Sequence, residues 1–158
     1  MSKEYVTALK DSLVKKKKVL DEIMELGKLQ TVLINAETMD YEAFDNLVND
    51  RDVALENLEK LDEGFEALYE RVRAELQENK SLYADEIKEM KELIALITDT
   101  TVAIENLDAE NKKALENVFL RDRRNIAESK RSVSVAMNYY KSMNGLGRDG
   151  SLYLDRKN

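Results

Sequence analysis

The chain has 158 residues and a formal net charge of −7, with 36% of its residues charged and no histidine, cysteine, proline or tryptophan. These absences exclude disulfides, thiolate nucleophiles, imidazole-based catalytic dyads and metal centres ligated by cysteine or histidine. Oxygen-only sites for calcium or magnesium stay open on composition, but no EF-hand spacing occurs, so neither a metal nor a cofactor is expected.

The length suits one domain with a real core, and 43% hydrophobic residues oppose wholesale disorder. High charge with no proline and only five glycines points to long helices, since a globular α/β fold would need more turn residues. No apolar run approaches the length of a membrane span, and the acidic start MSKEYVTALKDSL has no apolar core segment. A cytoplasmic protein without membrane insertion or a signal peptide is therefore expected.

The first periodic block runs from about Ser2 to Ile34. Val6, Leu9, Leu13, Leu20, Ile23, Leu26 and Leu33 recur at spacings of three, four and seven, which places them on one helix stripe. Lys15 to Lys18 reads as a solvated face whose stems lie along the surface. A break follows at residues 35–40. There Asp40 is the expected N-cap, Met39 and Phe44 hold the two positions of a hydrophobic staple, and Glu42 complements the helix dipole.

The second block spans Tyr41 to about Gln77. Phe44, Leu58, Phe65 and Val72 share one heptad position, and Val48, Leu55, Leu61, Leu68 and Leu76 adjoin it, as in helices packed at a shallow angle. Arg51 occupies the missing slot. It either reaches out to Asp50, Asp52 or a carboxylate on another helix, or is a buried charge that fixes register. The second break offers Asn79 as a helix end and Ser81 as the next N-cap.

The third block runs to about Met143 and is read as one long helix through Thr98–Thr101. Its seam is Ile87, Met90, Ile94, Ile97, Thr101 and Ile104. It turns polar at Asp108 and Asn111, recovers at Leu115 and Val118, then shifts to Phe119, Ile126, Val133 and Tyr140. Gly145 is a natural stop, and residues 144–158 read as a flexible glycine-containing tail. Short links make neighbours antiparallel, so the expected fold is all-α: an elongated antiparallel three-helix bundle or coiled coil over 1–143, whose long C-terminal helix overhangs its partners.

Charge is uneven along this plan. Residues 1–120 carry 16 bases and 28 acids, whereas 121–158 carry nine bases and four acids. The bases from Arg121 to Arg131 have no aromatics among them and sit on an acidic protein, which argues against nucleic acid as the partner. The same region holds more apolar residues than one narrow stripe needs: Val133, Val135, Ala136, Met137, Tyr139, Tyr140 and Met143. That excess is either covered by the first helix or the tail, or forms a face for another amphipathic helix. Carboxylate pairs such as Glu56/Glu59 and Glu63/Glu66 read as solvated helix faces, so no catalytic residue is assigned and no enzyme is expected.

The whole arrangement resembles the FlgN-type flagellar export chaperones. The resemblance rests on a long first helix, the link Met39-Asp40-Tyr41-Glu42-Ala43-Phe44, the stretch Asn106 to Leu120 in a long last helix, and a tail ending Tyr153-Leu154-Asp155-Arg156-Lys157. It implies a cytoplasmic chaperone that binds the C-terminal amphipathic helices of hook-filament junction (hook-associated) proteins, keeps them unassembled and delivers them to the export apparatus. It also implies that the last helix carries the client-binding face, here Phe119, Ile126, Val133, Met137, Tyr140 and Met143. A filament or filament-cap chaperone is the alternative within the class. Outside it stands a structural coiled-coil module that homo-oligomerises through the same seam. A weak homodimer is compatible with the chaperone reading.

Overall fold

A computed structural model describes residues 2–122. Three α-helices account for nearly all of them: α1 (Ser2–Ile34), α2 (Tyr41–Glu78) and α3 (Ala84–Arg121). With 33, 38 and 38 residues, they are about 50 to 57 Å long at 1.5 Å per residue. The continuation of helix three to Met143, its overhang, the stop at Gly145 and the tail 144–158 lie outside the described residues.

Cross-helix bonds establish the up-down-up order. Lys16 meets Asp62 and Gln30 meets Arg51, so α1 and α2 run antiparallel. Lys10 meets Glu89 and Thr31 meets Asn111, so α1 and α3 run parallel. α1 lies closely against both neighbours, but among the described residues no Cα atoms of α2 and α3 come within 8 Å of each other. Those two helices meet through long side chains instead.

Each helix buries a stripe one or two residues wide, because side chains three and four apart share a helix face. On α1 the stripe is Val6, Leu9, Leu13, Lys16, Leu20, Ile23, Gly27, Gln30 and Ile34. On α3 it is Met90, Ile94, Ile97, Thr101, Ile104, Asp108, Asn111, Leu115 and Val118. The heptad position read on α2 is buried throughout: Phe44, Arg51, Leu58, Phe65 and Val72. Of its adjoining set, Val48 and Leu76 are buried, while Leu55, Leu61 and Leu68 are only half-buried. The seam is thus filled from within the chain.

The links follow the sequence in one case and depart from it in the other. Asp40 caps α2, its Oδ1 accepting from the Ala43 amide at 3.0 Å, and Met39 and Phe44 are both buried. Asn79 ends α2 as expected, its amide donating to the Glu75 carbonyl. Ser81, however, is not the cap of α3. The backbone amides of Leu82 and Tyr83 both donate to the Asn79 carbonyl, so the turn continues two residues further and α3 starts after Tyr83. Tyr83 controls this placement: its ring is buried and its hydroxyl donates to Glu75 Oε1 at 3.1 Å.

α3 passes unbroken through Thr98–Thr101. The Thr98 and Thr101 hydroxyls donate to the carbonyls of Ile94 and Ile97, one turn back, which satisfies them inside the helix.

The lysine run needs one correction. Lys15 and Lys18 are solvated, but Lys16 falls between Leu13 and Leu20 on the core stripe and is only 4% exposed. Its ammonium reaches Asp62 on α2 at 2.7 Å, which compensates the charge that burial strips of water.

Candidate partner-binding surface

A polar layer lies inside the bundle. Arg51 is fully buried, and its two terminal nitrogens bind the two oxygens of Asp108 at 3.0 and 3.1 Å. Its Nη1 also donates to Gln30 Oε1 at 2.6 Å. One turn further along α3, Asn111 donates to the Gly27 carbonyl at 3.1 Å. The Thr31 hydroxyl lies 2.7 Å from Asn111 Oδ1 and 3.1 Å from the same Gly27 carbonyl, and its single proton serves one of them at a time.

Gly27 permits this layer to form. A Cβ there would stand 3.0 Å from the Leu107 Cδ2 and 4.0 Å from the Arg51 guanidinium. Of the two sequence readings of Arg51, the structure combines a partner on another helix with complete burial. Removal from water pushes the Asp108 carboxyl up, and the adjacent Arg51 charge and bonds pull it back down. Such a layer aligns helices and offers no face to a partner.

The carboxylate pairs Glu56/Glu59 and Glu63/Glu66 are exposed, as solvated faces should be. Among the described residues no group of three or more candidate ligands could hold a metal ion, and no helix is long and apolar enough to cross a membrane.

Of the candidate client-binding residues, only Phe119 lies within the described residues. It is half-buried and packs against the core, while its neighbour Leu120 is 64% exposed. Ile126, Val133, Met137, Tyr140 and Met143 lie outside the described residues. At the end of α3, the Tyr41 hydroxyl approaches Asp122 Oδ2 at 3.5 Å, and Arg121 pairs with the same carboxylate at 3.2 Å. Arg121, the first of the C-terminal bases, therefore pairs at its own helix end rather than on α1 or α2. Partial burial and the negative charge of Asp122 both push the Tyr41 hydroxyl up.

The sequence pattern did not reveal the apolar residues exposed along α1 and α2. Leu29, Val32 and Val53 are 51%, 67% and 59% exposed. Their distance from the heptad positions was the available signal, since residues outside a narrow seam must face solvent or something else.

No curated protein and no solved structure matches this chain. The FlgN protein family model matches residues 1–144. That span takes in the Asp40 link and every candidate client-binding residue, but ends before Tyr153–Lys157. The chain belongs to the FlgN family, a family of flagellar export chaperones.

Proposed function

We propose that this chain binds the C-terminal amphipathic helices of hook-associated proteins in the cytoplasm, holds them unassembled and presents them to the export apparatus. The observation that carries the proposal is family membership over residues 1–144, a span that includes the apolar-rich stretch ending at Met143. The described core supports it indirectly. The heptad seam is consumed between the chain's own helices, so apolar residues beyond it are the ones left for a partner.

The binding face is Phe119, Ile126, Val133, Met137, Tyr140 and Met143. A client helix that would otherwise self-assemble buries its apolar stripe there, and methionines adapt to clients of differing shape. The acidic body keeps the complex soluble.

The test is binding of C-terminal helix peptides from hook-associated proteins by calorimetry, with Val133, Met137 and Tyr140 changed singly to glutamate. Each change should weaken binding about tenfold or more, as loss of an interface anchor does. Unchanged affinity in all three variants removes this face from the proposal. If no such peptide binds the unmodified chain, the client assignment fails.

A further inference from the structure

Between α1 and α2 runs an open groove of about 660 Å³ on the outside of the bundle. Its floor is apolar, formed by Leu26, Leu29, Val53 and Ala54. Leu29 and Val53 are more than half exposed, and Val32 extends the apolar strip toward the end of α1. The rim is acidic. Asp21 and Glu25 are already paired with Lys17 and Lys28, but Glu22 and Asp50 belong to no ion pair among the described residues. Behind this rim stands α2, with twelve acids against four bases.

The residues that follow α3 have the complementary chemistry. Between 123 and 143 the chain carries five bases (Arg123, Arg124, Lys130, Arg131, Lys141) against Glu128 alone, together with its apolar excess. They also start in the right place. Asp122 lies beside Tyr41, at the end of the bundle where α1 finishes and α2 begins. From Tyr41 to Val53 is twelve residues of α2, or about 18 Å. Twenty-one residues span about 31 Å even when fully helical, which leaves enough chain to reverse direction and run along the floor.

We propose that the α1/α2 groove is the docking site of the chain's own basic, apolar segment 123–143. The segment covers Leu29, Val32 and Val53 with its apolar side chains and sets its bases against the acidic flank of α2. Docking describes the chain without a client, since a client helix bound to the same apolar side chains must displace the segment from the groove; the inference holds whatever that client is.

The chain has no cysteine, so introduced thiols report cleanly on proximity. Val53→Cys on the groove floor is combined with Val133→Cys in the segment. The control combines Ala109→Cys with the same Val133→Cys. Ala109 is exposed on α3 and stands thirteen residues before Asp122, about 20 Å from the same end of the bundle. A tethered but undocked segment reaches both positions at similar effective concentration. Docking in the groove makes the Val53 pair form an intramolecular disulfide about tenfold faster than the Ala109 pair, because it holds the thiols together. High salt should reduce that difference, since the attraction is partly between exposed charges. Leu29→Cys with Val133→Cys repeats the measurement from the α1 side. Equal rates for the Val53 and Ala109 pairs overturn the proposal. So does a Val53 disulfide that forms only between two copies, which would assign the groove to a second chain.

Discussion

Arg51 on α2 grips Asp108 on α3 through two bonds of 3.0 and 3.1 Å, although no Cα atoms of these helices come within 8 Å of each other. The pair therefore joins the two helices whose backbones do not approach each other closely. It also selects one alignment. A one-heptad slip of α3 would place Thr101 or Leu115 opposite the guanidinium, and neither offers a carboxylate. Removing one partner leaves a buried charge uncompensated, so Asp108→Leu should lower unfolding stability by about 3–5 kcal/mol. The double variant Arg51→Met with Asp108→Leu should recover most of that loss, because apolar residues of similar size avoid the desolvation cost. Urea unfolding of the four proteins in the cycle measures both effects. A loss of less than about 1 kcal/mol for Asp108→Leu, as at a surface pair, would show that the clasp does not hold the bundle.

Asp52 has the opposite situation on the next position of α2. Partial burial pushes its carboxyl above the ordinary value of 3.8, the like charge of Glu56 one turn on adds to this, and Arg51 opposes it. The sign follows from proton linkage. An acid raised in the folded state binds more protons there than when unfolded, so its contribution is full below 3.8 and is lost as pH rises through the folded value. The stability difference between the wild-type chain and Asp52→Asn should therefore shift against the wild type as pH is raised from about 4 to 7. Because the side chain faces solvent, the shift should stay below about 1 kcal/mol. Unfolding curves across that range decide the matter, and a difference that moves in favour of the wild type contradicts the assignment.

How the sequence foretold the fold can be seen in individual residues. The α3 seam from Ile87 to Val118 follows spacings of three and four, and every member from Met90 onward is buried. Asp40 announced itself because an acidic cap, a staple pair and a first-turn acid coincide there. Lys16 and Gln30 occupy core positions of the same α1 stripe and escaped detection, because polarity masks a seam position when its partner stands on another helix, and Gly27 escaped because it has no side chain to mark the stripe. Ser81 misled for a different reason: capping chemistry is local, and burial of the Tyr83 ring carries the turn two residues past it. The groove between α1 and α2 could not be read at all, since it depends on which outer faces the helix packing leaves side by side.

Gly27 in α1 and Gly64 in α2 should respond oppositely to substitution. Gly64 is exposed, and a Cβ added there would meet nothing within 4 Å. Gly64→Ala therefore gains helix propensity without a clash, raising stability by about 0.5–1 kcal/mol. At Gly27 an added Cβ would face Leu107 at 3.0 Å. Gly27→Leu must push α1 away from α3 and strain the Asn111 bond to the Gly27 carbonyl, at a cost of about 1–3 kcal/mol. Thermal unfolding followed by circular dichroism should move up for the first variant and down for the second. A stabilised Gly27→Leu protein would show that the two helices need not approach this closely.

Asp40 and Ser81 allow a direct comparison between a cap that forms and one that does not. The Asp40 carboxylate satisfies the Ala43 amide at 3.0 Å, next to the buried pair Met39 and Phe44. Asp40→Ala leaves that amide to water and removes a negative charge from the positive end of a 38-residue helix. Stability should fall by about 1 kcal/mol. Ser81 stands before a turn whose amides are already satisfied by the Asn79 carbonyl, and it is exposed. Ser81→Ala should therefore change stability by no more than about 0.5 kcal/mol. Both variants keep the core intact, so denaturant midpoints can be compared at a common slope. An equal or larger loss for Ser81→Ala would move the start of α3 back to Ser81 and leave the buried Tyr83 ring without its role in setting the turn.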